Sequence, residues 1–472
     1  MKTTETALIY LKQTNGQVTS KILKDLINEH SHKRGKMMKL YERYKASKDG
    51  VPIFSREFED ENKVNNKLNN DFFSEVIDTK IGYFAGKAIA YQLDNTIYKS
   101  PEGELNKDRY NKDLNHISDF NIRNNVEDLD AETAKLAAIC GYGARLLYID
   151  KEGKERVMDI PPWEAIFVSD RSIDEPQYAL RYYIITVNEK ERIRVEWYDN
   201  QYVTFYIQDD KGEYVLDDTE PAKEHLFSDV PLIAFINNKE MQGDCEKVLS
   251  LVDSYDKTLS DVNSELEQFR LAYMAFYGVE PDEEVIVRAK KTGAFGLGSK
   301  EDTGIEFITK DLNDTIIENH LNRLEDNILR FAKSVNFSDE SFAGNLSGVA
   351  LKYKLFNLES KCITAERKMT AALRRQYKLL TEVWKKKGIE IDYTYIYFAF
   401  KRNFPLNLLD EAQTTGGFKG LISEKTRLGL LSFVDDVDFE LEQMRQEQEE
   451  NIDLDIIEDD EDGTGSQGGD DA

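Results

Sequence analysis

The 472-residue sequence has little cysteine, little histidine and a shortage of positive charge. Its three cysteines, Cys140, Cys245 and Cys362, are an odd, scattered set with no paired spacing. That excludes a disulfide framework and points to buried or free thiols in a reducing compartment. The five histidines, His30, His32, His116, His225 and His320, show no ligand spacing. His30 and His32 are two apart, which on a helix turns them to different faces, so no metal or cofactor is expected. No window approaches the roughly 18 apolar residues that cross a bilayer. MKTTETALIYLKQTNG (1–16) has no apolar core long enough for a signal peptide. Assembly in a cytoplasm without a membrane partner is the expectation. Lys and Arg number 62 against 89 Asp and Glu, a formal net charge of −27. Ordinary duplex binding needs a lysine- and arginine-rich surface, so it is disfavoured. A protein that lets nucleic acid pass without sticking is still allowed.

Recognisable catalytic motifs are missing too. There is no nucleophile elbow, no HExxH and no kinase set, and carboxylates are too numerous for one acid–base pair to stand out. The nearest approach is KKTGAFGLGSK (290–300), where Gly293 and Gly298 have Walker spacing. Ser299 and Lys300 then follow in reversed order. The preceding run EVIVRA (284–289) reads as a strand, and EDTGIEFIT (301–309) as a β-type run with no helix N-terminus to face a phosphate. A glycine-rich turn between strands is the better reading. GYGAR (141–145) lacks the third glycine of a dinucleotide fingerprint and follows a helix, so Gly141 reads as a left-handed helix cap.

What is present is enough apolar residue, 40%, for sizeable cores, and a length suited to about three domains. Helices are expected over 20–47, 66–85 and 127–139. Short β-rich runs follow at 144–149, 156–160, 165–169, 178–186, 193–198 and 203–207, separated by turn chemistry. The expected strand meander spans 144–217, the end of a mixed α+β domain. At about 241 the pattern changes to one long helix reaching 277. Val248, Val252, Tyr255, Leu259, Val262, Leu266, Phe269 and Tyr273 step by four and three, a heptad-like stripe on the order of 40–50 Å long. A second long helix, 312–335, repeats the pattern with Ile317, Leu321, Leu324, Ile328, Phe331 and Val335. The two form a projecting hairpin around a small insert.

NFSDESFAGNLSG (336–348) breaks the second helix, and a third spans 349–387. Val349, Tyr353, Phe356, Ile363, Met369, Leu373, Tyr377, Leu380 and Trp384 are expected on one side. Lys352, Lys361, Arg367, Lys368, Arg374, Arg375 and Lys378 are expected on the other, as a solvated face, inter-subunit ion pairs or a DNA-contacting stripe. A strand over 389–400 and helical pieces at 407–415, 423–431 and 434–450 follow. The acidic, Gly-rich 451–472 has little to bury and is expected to be disordered. Long heptad-like stripes need more cover than one antiparallel partner gives, which favours an oligomer.

Five stretches, in order, resemble the portal (head-to-tail connector) proteins of long-tailed bacteriophages of siphovirus type. They are NNKLNNDFFSEVIDTKIGYFAGKAIAY (65–91), AKLAAICGYGARLLYID (134–150), SDVPLIAFINNKE with SYDKTLSDVNSELEQFRLAYM (228–274), LSGVALKYKLFNLESKC (346–362) and LISEKTRLGLLSFVDDVDFELEQM (421–444). The resemblance implies an α+β, mostly helical portal fold with a wing, a two-helix stem, a small α/β clip and a helical crown. Residues 1–240 would be wing, 241–277 and 312–335 the stem, and 278–311 the clip. Residues 336–348 would be the tunnel loop, 349–416 the long wing helix and strand, and 417–450 the crown. It also implies a non-enzymatic virion component at one capsid vertex, a ring of twelve subunits through which double-stranded DNA is packaged and ejected. Implied partners are the terminase large subunit, head–tail adaptor proteins, and the major capsid and scaffolding proteins. Tunnel-loop residues facing DNA would be Asn336, Ser338, Asp339, Glu340, Ser341, Phe342, Asn345 and Ser347. Lys290, Lys291 and Lys300 would form a docking surface on the clip. Asp253, Asp256, Asp261 and Glu265 are candidates to line the channel and repel the DNA backbone. The alternatives are a coiled-coil scaffold or adaptor without a channel, and a packaging NTPase. Millimolar ATP should show no saturable binding in a nucleotide-binding assay. Robust binding lost in Lys300→Ala would restore the NTPase.

Overall fold

The computed structural model describes residues 2–14, 16–59, 63–101, 103–169, 175–269, 273–277, 282–284, 287, 304–308, 314–337, 348–403, 408–431, 434, 437 and 439–447. Helices α1 (Lys2–Gln13), α2 (Ser20–Tyr44) and α3 (Phe72–Phe84) lead into strand β1 (Ala90–Leu93), then α4 (Lys107–Arg123) and α5 (Val126–Cys140). The oxygens of Thr19, Asp71 and Asn106 cap α2, α3 and α4, satisfying amides the first turn leaves unpaired. Gly141 ends α5 at φ +93°, the left-handed cap that its place in CGYG predicts.

The expected strands follow closely: β2 (Tyr142–Ile149), β3 (Glu155–Ile160), β4 (Ala165–Val168), β5 (Tyr178–Val187), β6 (Lys190–Tyr198) and β7 (Tyr202–Gln208). They do not form one meander over 144–217. β2 and β3 belong to a separate three-stranded antiparallel sheet with β10 (Leu232–Ile236). The meander proper starts at β4 and runs through β7 to β8 (Tyr214–Leu216), with β9 (Lys223–Glu224) also pairing β7. The two sheets pack on each other. Ala144, Leu146, Ile160 and Leu232 meet Ala165, Ala179, Tyr198 and Phe205, while Leu147 and Phe235 face the opposite way into a helical core. ARLLYI is apolar at successive positions because β2 is covered on both faces. The far side of the meander is closed by Leu8, Leu11, Ile22, Leu23 and Leu26 of α1 and α2 over Leu180, Val195 and Trp197.

After β10 come α6 (Leu249–Phe269) and β11 (Tyr273–Tyr277), which pairs antiparallel with β12 (Gly304–Ile308). The first long helix is described over 249–269 and Tyr273 is in a strand, so it neither begins at 241 nor reaches 277. YMAFY is aromatic-rich, and strand chemistry wins over a heptad step there. Glu283, Glu284 and Val287 are helical, so EVIVRA is not a strand at these positions. Glu283 and Glu284 open this turn, where acidic side chains suit a helix N-terminus. β12 agrees with the β-type reading of 301–309.

α7 (Asp314–Ala332) packs against α6, burying Leu321, Leu324 and Ile328 as expected. Phe331 departs from the expected stripe and is 55% exposed. α8 (Gly348–Lys386) is the longest element, about 58 Å at 1.5 Å per residue. Leu358, Cys362, Ala365, Met369, Leu373, Tyr377, Leu380 and Trp384, at steps of three and four, are its buried stripe. Tyr353, Phe356 and Ile363 lie off that stripe and are exposed, which corrects the single-sided reading of its front half. Beyond it, only Ile396–Ala399 of the expected 389–400 strand forms β13, paired with β1. Tyr393–Tyr395 is a 3-10 turn started by the Asp392 side chain. α9 (Leu408–Gly417) and α10 (Glu424–Leu428) follow. The acidic 451–472 lies outside the described residues. Tyr377 and Trp384 are fully buried among Tyr91, His116, Phe120 and Phe398. Trp384→Ala should cost about 3–5 kcal/mol, read by urea unfolding. A loss under 1 kcal/mol would mean this cluster is not the anchor of α8.

Candidate functional site

The helix pair α6–α7 and the front of α8 meet the two-sheet body at one buried joint. Its placement starts with glycine. A Cβ on Gly141 would lie 2.1 Å from the Met241 carbonyl oxygen, and one on Gly243 2.2 Å from that of Ile139. Only bare backbone lets the 237–244 loop lie against the end of α5. Two hydrogen bonds fix it there, Asn237 N to Gly141 O at 2.9 Å and Asp244 N to Ala138 O at 2.7 Å.

The loop delivers Asp244 into the core. The Lys80 ammonium on α3, 2% exposed, donates to Asn237 Oδ1 at 2.7 Å and pairs with Asp244 Oδ2 at 2.8 Å. Lys361 of α8 is 3.5 Å from Asp244 Oδ1 and donates to the Ala332 carbonyl, at the end of α7, at 2.7 Å. Two lysines share one carboxylate, which leaves an excess positive charge. The carbonyl end of α7 is where a cation is favoured. Burial opposes ionisation of Asp244, yet Lys80 and Lys361 outweigh it and hold its carboxyl below the usual range. Burial, with Lys80 close by, pushes Lys361 down against the pull of Asp244. This joint connects α3, the 237–244 loop, α7 and α8 in one contact set. Nearby, Glu359 accepts two bonds from Arg402 at 2.9 and 3.0 Å and one from Tyr83 at 2.8 Å, and Glu366 takes a third bond from Arg402 at 2.8 Å.

A second polar assembly holds the outer part of α6. The extended segment 64–70 runs alongside it. Asn70 N donates to Asp256 Oδ1 at 2.8 Å, and Leu68 N and Asn66 N donate to Ser260 Oγ and Ser264 Oγ at 2.9 Å each. Arg56 pairs with Asp261 at 2.5 Å, Arg43 with Asp253 at 2.5 Å, and Asn66 Nδ2 donates to Glu267 at 2.8 Å.

These contacts bear on the expected site residues. Asp256 is 1% exposed. Burial raises its carboxyl above the usual range despite the Asn70 bonds. It cannot line a channel, and the expectation for it is corrected: it accepts from the backbone and side-chain amides of Asn70. Asp253 and Asp261 keep roughly half their side chains exposed while pairing with arginines. Glu265 is half-buried. Asn336 is half-buried and its Nδ2 lies 3.5 Å from Glu325. Ser338, Asp339, Glu340, Ser341, Phe342, Asn345, Ser347, Lys290, Lys291 and Lys300 lie outside the described residues. The basic side of α8 is interrupted. Lys361 is in the joint, Arg375 pairs with Glu175 and Asp229, and Lys378 with Glu175, while Lys352, Arg367 and Arg374 are exposed.

The cysteines are buried and free. Burial pushes the Cys140 thiol up to about 12, and Cys245 higher. Among the described residues no grouping of His, Cys, Asp and Glu could hold a metal ion, and no helix is long and apolar enough to cross a membrane. Sequence reasoning missed Lys80, Asn237 and Asp244. One clue was legible: in FFSEVIDTKIGYF, Lys80 occupies an apolar-stripe position between Ile77 and Phe84.

Residues 23–454 match the family described as phage portal protein, SPP1 Gp6-like. The portal protein of Bacillus phage SPP1 is 25% identical over 409 residues, covering 82% of this chain and 77% of the relative. The portal protein of Clostridium phage phiCD119 is 25% identical over 420 residues, covering 84% and 88%. A chain from the neck of an empty GTA particle aligns at 12% identity and TM-score 0.47, covering 77% of this chain and 90% of that one.

Asp244→Asn leaves Lys80 buried without its counter-charge and should cost about 3–5 kcal/mol in urea unfolding. The acid sign follows from the lowered carboxyl. The Asp244 contribution is complete above its unperturbed value of 3.8 and is lost as pH falls through the folded value below it. The gap between wild type and Asp244→Asn should therefore narrow below pH 3.8. A gap independent of pH there would contradict the ionised pair.

Proposed function

The chain belongs to the SPP1 Gp6-like phage portal family, and from that premise we propose that it assembles into a ring at one capsid vertex through which double-stranded DNA enters and leaves. The carrying observation is apolar. Leu266, Phe331, Tyr353, Phe356 and Ile363, on the helix pair and the front of α8, are all solvent-exposed in the single chain, Tyr353 at 79% and Phe356 at 67%. So many large apolar side chains on one helical set call for cover, and neighbouring copies around a closed ring supply it. The family membership supports a ring over a rod or a scaffold. Twelve copies is the expected number.

In this reading the two-sheet body is the wing, α6 and α7 are the stem, and residues between them the clip. Residues 336–348 are the tunnel loop, and 417–450 the crown. The net charge of −27 suits a conduit. Each firm lysine–phosphate contact adds affinity and hinders sliding. Asp253, Asp261 and Glu265 are the remaining stem candidates for the channel side. The tunnel loop, 336–348, carries Asp339 and Glu340 with no lysine or arginine, so its contact with DNA is steric or polar. Lys290, Lys291 and Lys300 are the surface for the packaging motor and later the head–tail adaptors. Major capsid and scaffolding proteins are the expected partners of the outer surface.

Phe356→Asp should shift the protein from a ring to monomers or small oligomers in mass photometry, with the far-ultraviolet dichroism unchanged. Rings at wild-type abundance would remove this face from the interface. Reversing Lys290, Lys291 and Lys300 to Glu should weaken motor binding at least tenfold in a pull-down while rings still form. Loss of the ring would place those lysines between subunits.

A further inference from the structure

The bonds between residues 64–70 and α6 have a matched repeat. Asn70, Leu68 and Asn66 are spaced by two, Asp256, Ser260 and Ser264 by four. Two extended residues advance about 6.6 Å and four helical residues about 6.0 Å, so successive amides reach successive side-chain acceptors. The acceptors are buried: Asp256 at 1%, Ser260 at 0% and Ser264 at 7% exposure. They form one face of α6. The apolar stripe is different, since Val252, Tyr255, Leu259, Val262 and Leu266 fall roughly 100–120° around the helix at 100° per residue. The base of α6 is fixed to the body by apolar contact, through buried Val248 and Val252 and the Tyr255–Phe72 ring pair at 4.9 Å. Farther out, the contacts joining it to residues 56–70 are hydrogen bonds and the Arg56–Asp261 pair. The remaining side carries Lys257, Thr258 and Glu265.

We propose that residues 64–70 are a rotational latch on the first long helix, and that Ser260 and Ser264 are positioning residues that keep the Lys257–Thr258–Glu265 face turned away from the body. Apolar contact with α7 is non-directional and tolerates a turn of α6 about its axis. Hydrogen bonds tolerate little, because they weaken steeply off line. The latch therefore sets rotation where packing alone does not. Because these bonds exchange with bonds to water at small net cost, it opens locally without unfolding the apolar base. The consequence for DNA passage rests on the portal reading; the latch itself does not.

The test is hydrogen exchange by mass spectrometry on assembled full-length protein, paired with in vitro DNA packaging. In Ser260→Ala/Ser264→Ala, the amides of 64–70 should exchange at least tenfold faster. Those of α3, α8 and β2 should be unchanged, and ring yield should be kept. Packaging should fall at least fivefold. Ser260→Thr/Ser264→Thr, which retains both hydroxyls, should restore protection and packaging together. Unchanged exchange at 64–70 would overturn the latch, and so would loosening spread over the whole body. Wild-type packaging by the alanine variant would overturn the positioning role. If the wild-type protein itself forms no ring or packages no DNA, the portal reading fails, and the exchange result still decides the latch.

Discussion

One buried carboxylate shared by two lysines sets the geometry on which the rest depends. Lys80 comes from the body, Asp244 from the loop that starts the helix pair, and Lys361 from the longest helix, which also holds the last carbonyl of the returning helix. A buried ion pair adds little stability over a well-packed apolar substitute. What it adds here is direction. An apolar joint could slide, whereas Asp244 has to sit between two ammonium groups. Asn237, Gly141 and Gly243 exist around it to hold the loop close enough. The joint therefore fixes where the helix pair leaves the body and where the long helix begins.

Around that point the chemistry divides. Behind it, aromatic and aliphatic packing of Tyr377, Trp384 and Phe120 makes the long helix part of the two-sheet body. In front of it, the same helix turns Tyr353 and Phe356 to solvent, and the outer first long helix is held by hydroxyls, amides and two arginines. A body anchored by apolar burial and a projecting part held by directional polar bonds suit a subunit whose neighbours complete it. The acidic surplus fits a channel that must not bind what it passes.

Much of this was legible in the sequence. The helix over 20–44, the strands from 142 to 208 and the cap at Gly141 follow from local periodicity and turn chemistry. What local pattern could not decide was partnership. β2 and β3 look like the first strands of a meander, yet β2 takes β10, some 85 residues downstream, as its second partner, because sheet partners are a tertiary choice. The end of the first long helix was misplaced because Tyr273 continues a heptad count by chance. Along the third, apolar residues fill two faces, and periodicity cannot tell the face buried within the chain from one left for another copy. Asp256 looked like one of many exposed carboxylates, since nothing local reveals that Asn70 covers it.

The central claim is that this chain is a ring subunit whose exposed helical face is completed by its neighbours. Electron cryomicroscopy of the purified full-length protein tests it most directly. The account predicts a closed ring with an open central channel, Tyr353 and Phe356 buried between adjacent subunits, and the Lys80–Asp244–Lys361 joint intact in each. A monomer, a rod or a compact oligomer without a channel would contradict it.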